Sequence, residues 1–284
     1  MGLAVDTDCN LRADVEIPVK LCNLPPLNAI ASRVLALSAD PDVDLKRLTS
    51  VIECDPAFAA DILVVANSPL FGFRSRVPAL RDAIAVLGLE QLNALAITVA
   101  MRGFLGRSAP AVRPCWRHSV ASAVIASEIA PSLAISGEAA FTLSLLHDVG
   151  RLGLLKSYPS EYARILGGTY QDAEAVLRAE RAAFQVDHGR AGGWLVRSWA
   201  FPQPFLRVCE DHHEPPGAHD PQLFQVVKLS CAMADALDFS AVRYAQPRRY
   251  EEIVGILPKG ACRDSFPAEA DLRESVERRI KSFL

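Results

Sequence analysis

The chain has 284 residues, 50% hydrophobic and 22% charged, which is ordinary globular composition and enough for about two domains. The net charge of −3, with no long basic run, excludes the electrostatic footprint of a nucleic-acid binder. The opening MGLAVDTDCNLRADVE is too acidic for a secretory signal, and Glu90 and Arg102 bound the apolar stretch Ala94–Ala100 too closely for a membrane span. The 7 cysteines are odd in number and form no CxxC, so a reduced, cytoplasmic protein with mostly buried thiols is expected.

Residues 1–17 read as a weakly structured arm. After Leu24-Pro25-Pro26, the residues Leu27, Ile30, Val34 and Leu37 share one helical face. Asp40-Pro41-Asp42 ends that helix, and Asp44 caps the next, with Leu45, Leu48, Val51 and Ile52 as its stripe. Asp55-Pro56 is an N-cap followed by proline at the first helical position. In the loop beyond Asn67-Ser68, two phenylalanines flank Gly72, and an ordered turn tied to the core is expected there. Pro78–Leu87, stopped by Gly88, and Leu89–Phe104 complete five helices. Gly106–Pro114, rich in Gly, Ser, Pro and Ala, marks a boundary between two halves.

Helices are then expected over Cys115–Ala130, Glu138–Asp148, Leu152–Leu155, Tyr162–Leu166, Asp172–Phe184, from His188 to about Ser198, around Leu206–Cys209 and over Phe224–Leu237. Gly150 reads as a helix stop. The loop LPKGACRDSFP precedes an exposed amphipathic helix over Ala268–Phe283. The expectation is an all-α protein, a five-helix subdomain (18–106) packed on a second helical domain (107–240), followed by a C-terminal loop and helix (241–284).

Chemistry gathers in the second half. His147-Asp148 ends an apolar run, and an imidazole beside a carboxylate suits Zn²⁺, Fe or Mn²⁺ rather than Ca²⁺. Of the 6 histidines, His118, His147, His188, His212 and His213 lie on or at the ends of second-half helices, while His219 stands apart. Asp235 follows them in the apolar segment KLSCAMADALDF, where a buried carboxylate needs a cation or hydrogen bonds.

The motifs LPPLNAIASRVLAL, DPAFAADILVVANSPLFG, AIAVLGLEQLNALAI, HSVASAVIASEIA, LLHDVGRLGLL, DHGRAGGWLVRSWAFPQPF and CEDHHEPP occur in this order. Through them the chain, from about Leu24 to Phe239, resembles the HD-related output domain, HDOD. That resemblance implies an all-helical bacterial signalling module related to HD phosphohydrolases, which bind one or two metals. It implies that His118, His147, Asp148 and Asp235 match the ligands of a mononuclear HD site. His188, His212 and His213 match the additional ligands of binuclear relatives such as the HD-GYP phosphodiesterases. The chain departs from that pattern at Arg151, where HD-GYP proteins carry lysine, in lacking the GYP triplet, and at Pro114, where trinuclear relatives carry glutamate.

Three readings follow. The first is a signalling output module with a metal site of one or two Fe, Mn or Zn ions, whose partners are signalling proteins. The second is a metal-dependent phosphohydrolase acting on a nucleotide or cyclic dinucleotide, with Asp148 between the ions and Arg151 holding a phosphate as a planar fork. The third is a metal-free scaffold with relic histidines.

Overall fold

A computed structural model of the chain describes residues 17–38, 40, 43–68, 77, 79–105, 112–215, 220–256 and 266–281, with the side chains of 81–83 and 85–87 left aside. It is helical almost throughout, as the 3.6 pattern requires. The expected arm up to residue 16, the turn at Phe71–Phe73, the boundary residues 106–111 and His219 lie outside the described residues.

The first half holds α1 (Val19–Cys22), α2 (Ala29–Ser38), α3 (Leu45–Glu53), α4 (Pro56–Ala66) and α5 (Leu80–Leu105). Asp44 caps α3 by accepting from the Lys46 N–H, and Asp55 caps α4 by accepting from Ala57 and Phe58. Leu48 and Ile52 of α3 meet Ile62 and Val65 of α4 in one core. Gly88 breaks α5 into two helical pieces with φ 73° and ψ 179°, a conformation open to glycine and strained for other residues. The side-chain amide of Asn67 bridges to Val77, accepting from its N–H at 2.8 Å and donating to its carbonyl at 3.0 Å, so the ends of the intervening segment are tied together.

The second half runs α6 (Val112–Ile129), α7 (Gly137–Leu146), α8 (Val149–Ser157), α9 (Pro159–Leu166), α10 (Ala173–Phe184), α11 (His188–Ser198), α12 (Gln203–Asp211), α13 (Gln222–Ala236), α14 (Tyr250–Gly255) and α15 (Glu269–Lys281). α6 packs against both α7 and α13, and α8 against α11. A parallel pair of two-residue strands, β1 (Thr169–Tyr170) and β2 (Arg243–Tyr244), joins distant loops. α5 packs on α7, and Phe104 meets Trp199 edge-on at 5.3 Å, so a continuous core runs from the first half into the second.

Three expectations need correction. Residues 112–114, assigned to a loop, open α6. The terminal helix α15 is not simply exposed: Leu272, Val276 and Ile280 are buried at i, i+4 and i+8, and the helix packs on α6. Each such side chain contributes about 1.5–3 kcal/mol. Gly150 does not stop a helix but lies inside α8, where a Cβ would run into the His188 carbonyl and meet the Gly192 nitrogen at 2.6 Å. Its missing side chain is what lets α8 and α11 cross closely enough to bring His188 beside Asp148.

Candidate metal centre

The His147-Asp148 pair occupies the junction between two helices. His147 is the C-cap that follows α7 and Asp148, with φ −109° and ψ 21°, is the N-cap of α8. Around them stand His118 from the middle of α6, His188 at the start of α11, and His212-His213 in the turn that closes α12. Asp187 accepts from the Arg190 N–H and so caps α11, fixing His188 as its first residue.

The imidazoles are oriented through one nitrogen each. Nδ1 of His147 contacts the Ser144 carbonyl at 2.6 Å, Nδ1 of His212 the Cys209 carbonyl at 2.9 Å, and Nδ1 of His118 the Phe239 carbonyl at 3.2 Å. Nδ1 of His188 contacts Oε2 of Glu180 at 2.6 Å. Carbonyls and carboxylates only accept, so all four rings carry their proton on Nδ1 and present a lone pair at Nε2. Nε2 of His188 lies 3.3 Å from Nε2 of His212 and 2.9 Å from Nε2 of His213. The lone pairs of His188 and His212, facing each other at 3.3 Å, repel unless a cation lies between them, whereas His213 can meet His188 as a hydrogen-bond donor in its Nε2-protonated tautomer. Nε2 of His147 is buried with no hydrogen-bond partner. A buried polar atom left so costs about 1–3 kcal/mol, and a metal ion is the partner that a neutral imidazole accepts. The donor set therefore fits a metal.

Two groups of metal-competent atoms result, each with its ligand atoms within 4.8 Å of one another: His118, His147 and Cys231, and His188, His212 and His213. Asp148 stands between them. Its Oδ2 is 4.0 Å from Nε2 of His118, while Oδ1 is 3.4 Å from Nε2 of His188 and 3.9 Å from Nε2 of His212. Burial holds the imidazoles of His118 and His147 down at about 3 and those of His212 and His213 well below 6.5, so they stay neutral and able to ligate. Burial also raises the Asp235 carboxyl to about 7.

A family profile for the HDOD domain matches residues 24–215. The chain belongs to the HDOD family. Its fold is shared with the HDOD domain protein of Geobacter sulfurreducens, at TM-score 0.68 and 21% identity over 92% of this chain and 90% of that one. A presumed phosphohydrolase of Shewanella amazonensis SB2B aligns at TM-score 0.67 and 21% identity, over 94% of this chain and 97% of that one. A protein of Treponema pallidum without a functional name is 23% identical over 221 residues, 76% of this HDOD chain and 42% of its own length. The chain thus spans less than half of that curated relative.

Within this HDOD chain the structure brings His118, His147, Asp148, His188, His212 and His213 together. Asp235 approaches on another side: its Oδ1 lies 3.4 Å from Nδ1, not Nε2, of His118. Arg151 does not present the expected fork to solvent. It is 3% exposed, its Nε–H is shared between both oxygens of Asp148 at 2.9 and 2.7 Å, and its Nη1 lies 3.4 Å from Oε1 of Glu180. The physical reason is that two buried carboxylates need a counter-charge, and Arg151, one turn after Asp148 on α8, is within reach of both.

Sequence reasoning missed Glu180, which is fully buried and also accepts from the Tyr162 hydroxyl at 2.7 Å. Burial works against its charge, but the His188 imidazole, the Arg151 guanidinium and the Tyr162 hydroxyl together bring its carboxyl down to about 2. Its signal was in register: Val176, Glu180 and Phe184 form the buried stripe of α10, so the acid occupies an apolar position. Beside the centre opens a cleft of about 540 Å³, lined among others by His212, His213, Cys231, Asp235, Lys228, Tyr244 and Arg248. Tyr244 of β2 and Ile253 of α14 form part of its wall, together with Arg248 from the segment between them.

Proposed function

We propose that this HDOD chain is a bacterial signal-transduction output module that retains an HD-type metal centre and acts in the cytoplasm through signalling-protein partners. The observation that carries it is the convergence of imidazole Nε2 atoms whose Nδ1 positions are already engaged, with His147 Nε2 left orphaned. A structural site has no need of that arrangement unless an ion fills it. The residues assigned to one or two ions of Fe, Mn or Zn are His118, His147, Asp148, His188, His212 and His213. Arg151 orients Asp148 by sharing its Nε–H between both carboxylate oxygens, and Glu180 keeps His188 in the tautomer that ligates. The first-half helices α2 to α5 are the surface offered to partners, since their described residues carry no candidate catalytic group.

A second reading, a metal-dependent phosphohydrolase acting on a nucleotide or cyclic dinucleotide, is favoured by the cleft of about 540 Å³ beside the centre. A divalent ion there supplies Lewis-acid polarisation of a phosphoryl oxygen. Lys228 is held by Asp220 at 2.8 Å, which leaves Arg248, among the described residues, as the exposed cation of the cleft wall for an anionic ligand. Elemental analysis of purified protein tests the first reading. Fewer than about 0.1 metal per chain, with no thermal shift on adding Zn²⁺ or Mn²⁺, would leave the metal-free scaffold. Turnover of a generic phosphodiester by metal-loaded protein decides for the second.

A further inference from the structure

Cys231 and Asp235 are four residues apart on α13 and leave the same face of that helix. α13 packs against α6 and carries this face onto His118. The two side chains reach opposite edges of the imidazole. Oδ1 of Asp235 lies 3.4 Å from Nδ1, whereas Sγ of Cys231 lies 3.6 Å from Nε2. Nδ1 also faces the Phe239 carbonyl at 3.2 Å, so the ring proton is on that edge and the lone pair points toward sulfur.

The spacing matches a coordination shell. Zinc–sulfur and zinc–nitrogen bonds of about 2.3 and 2.0–2.1 Å at a tetrahedral angle place S and N about 3.6 Å apart. The third member of the group is Nε2 of His147, buried and without a hydrogen-bond partner. A buried cysteine is often only a small apolar side chain. Here the thiol can donate to the lone pair of His118, but the sulfur also lies in one group with the orphaned Nε2 of His147, which neither packing nor that hydrogen bond requires.

We propose that Cys231, not Asp235, completes the first metal position beside His118 and His147, and that Asp235 is a positioning residue that orients His118 through Nδ1. The proposal rests on the reading that this centre holds a metal. As the sulfur–metal bond forms, the thiol proton passes to solvent. A thiolate in the set shifts the site away from Mn²⁺ toward Zn²⁺ and other softer ions.

The test uses the full chain, stripped by a chelator and reloaded with Co²⁺. Wild type and Asp235→Asn should both show a sulfur-to-cobalt charge-transfer band in the near ultraviolet. Cys231→Ser should lose that band, and Cys209→Ser should keep it. Zn²⁺ affinity, read by competition with a chelating dye, should fall tenfold or more in Cys231→Ser. Cobalt bound by wild type with no such band overturns the proposal and leaves the metal reading intact, whether or not any variant folds. So does a band that survives Cys231→Ser. Wild-type protein that binds neither Co²⁺ nor Zn²⁺ overturns both.

Discussion

One oxygen of Glu180, Oε2, is placed to accept from the backbone N–H of His188 at 2.9 Å and from its ring Nδ1 at 2.6 Å. The residue that begins α11 is thus fixed both in its main chain and in its ring, and its tautomer is set with Nε2 facing His212 and His213. Partners of this kind, one step behind a ligand, typically affect metal affinity by about 10–100-fold. Glu180→Gln keeps the shape and one acceptor oxygen but loses the charge that opposes Arg151. It is expected to lower Zn²⁺ affinity within that range in a competition titration. Glu180→Ala also strands Tyr162 and Arg151 and should cost about 3–5 kcal/mol in urea unfolding. Unchanged affinity in the glutamine variant would show that the contact is packing only.

Arg151 belongs to the same buried network, and its role is tested by separating charge from fork. Arg151→Ala leaves Asp148 and Glu180 without a counter-charge and is expected to destabilise by about 3–5 kcal/mol in chelator-treated protein. Added metal should recover part of that loss, because an ion restores a positive charge beside Asp148. Arg151→Lys keeps the charge and loses the planar donor that spans both oxygens of Asp148, so its cost should be smaller. If inorganic phosphate raises the melting temperature of wild type but not of Arg151→Lys, the residue meets anions after all and its burial is not maintained in solution.

Much of the fold was legible because its signals are local. Asp55-Pro56 and Asp44 announce helix starts through caps that need only their own neighbours, and Gly88 marks the break where a positive φ is required. The histidines and Asp148 were legible through motif order. What was not legible depends on contacts between elements. Two-residue strands carry no alternation to read, so β1 and β2 were invisible, and α14 is six residues long. Gly150 can end a helix or admit a close neighbour, and only the crossing with α11 decides which. Which edge of His118 meets Cys231 and which meets Asp235 is set by how α13 lies across α6, a relation that spacing along the chain does not encode.

The two glycines of α8 give a contrast free of any metal. A Cβ on Gly150 would meet only backbone, the His188 carbonyl and the Gly192 nitrogen, so neither side can yield. Gly150→Ala is expected to destabilise by about 3 kcal/mol or more and to reduce metal content by displacing His188. On Gly153 the nearest atom is Cδ1 of Leu195 at 2.6 Å, the movable end of a side chain, with Cδ2 of Leu21 next at 3.4 Å. There the strain is offset by the helical preference for alanine, about 0.5–1 kcal/mol. Denaturant midpoints of the two variants should therefore differ widely, and equal midpoints would mean that α8 and α11 are not held in close contact.

The buried imidazoles set the acid sensitivity of the metal-free protein. Burial depresses His118 and His147 from 6.5 to about 3, and His212 and His213 move the same way. Between those limits the unfolded chain binds protons that the folded chain refuses, so unfolding is favoured as pH falls. Their contribution is fully present above about 6.5 and is lost progressively toward 3. Asp235 acts with the opposite sign: burial raises it from 3.8 to about 7, so the folded state holds a proton that the unfolded state releases, and stability falls as pH rises through that window. One carboxyl opposes four imidazoles, and the net expectation is acid lability. Urea unfolding of chelator-treated protein should show stability dropping steadily from about pH 6.5 to about pH 4.5. His147→Ala should flatten that slope, because it removes one of the neutral imidazoles that the folded state keeps from protonating. A wild-type profile that is level across this window would mean that the imidazoles titrate in the folded protein and that the centre is open to water.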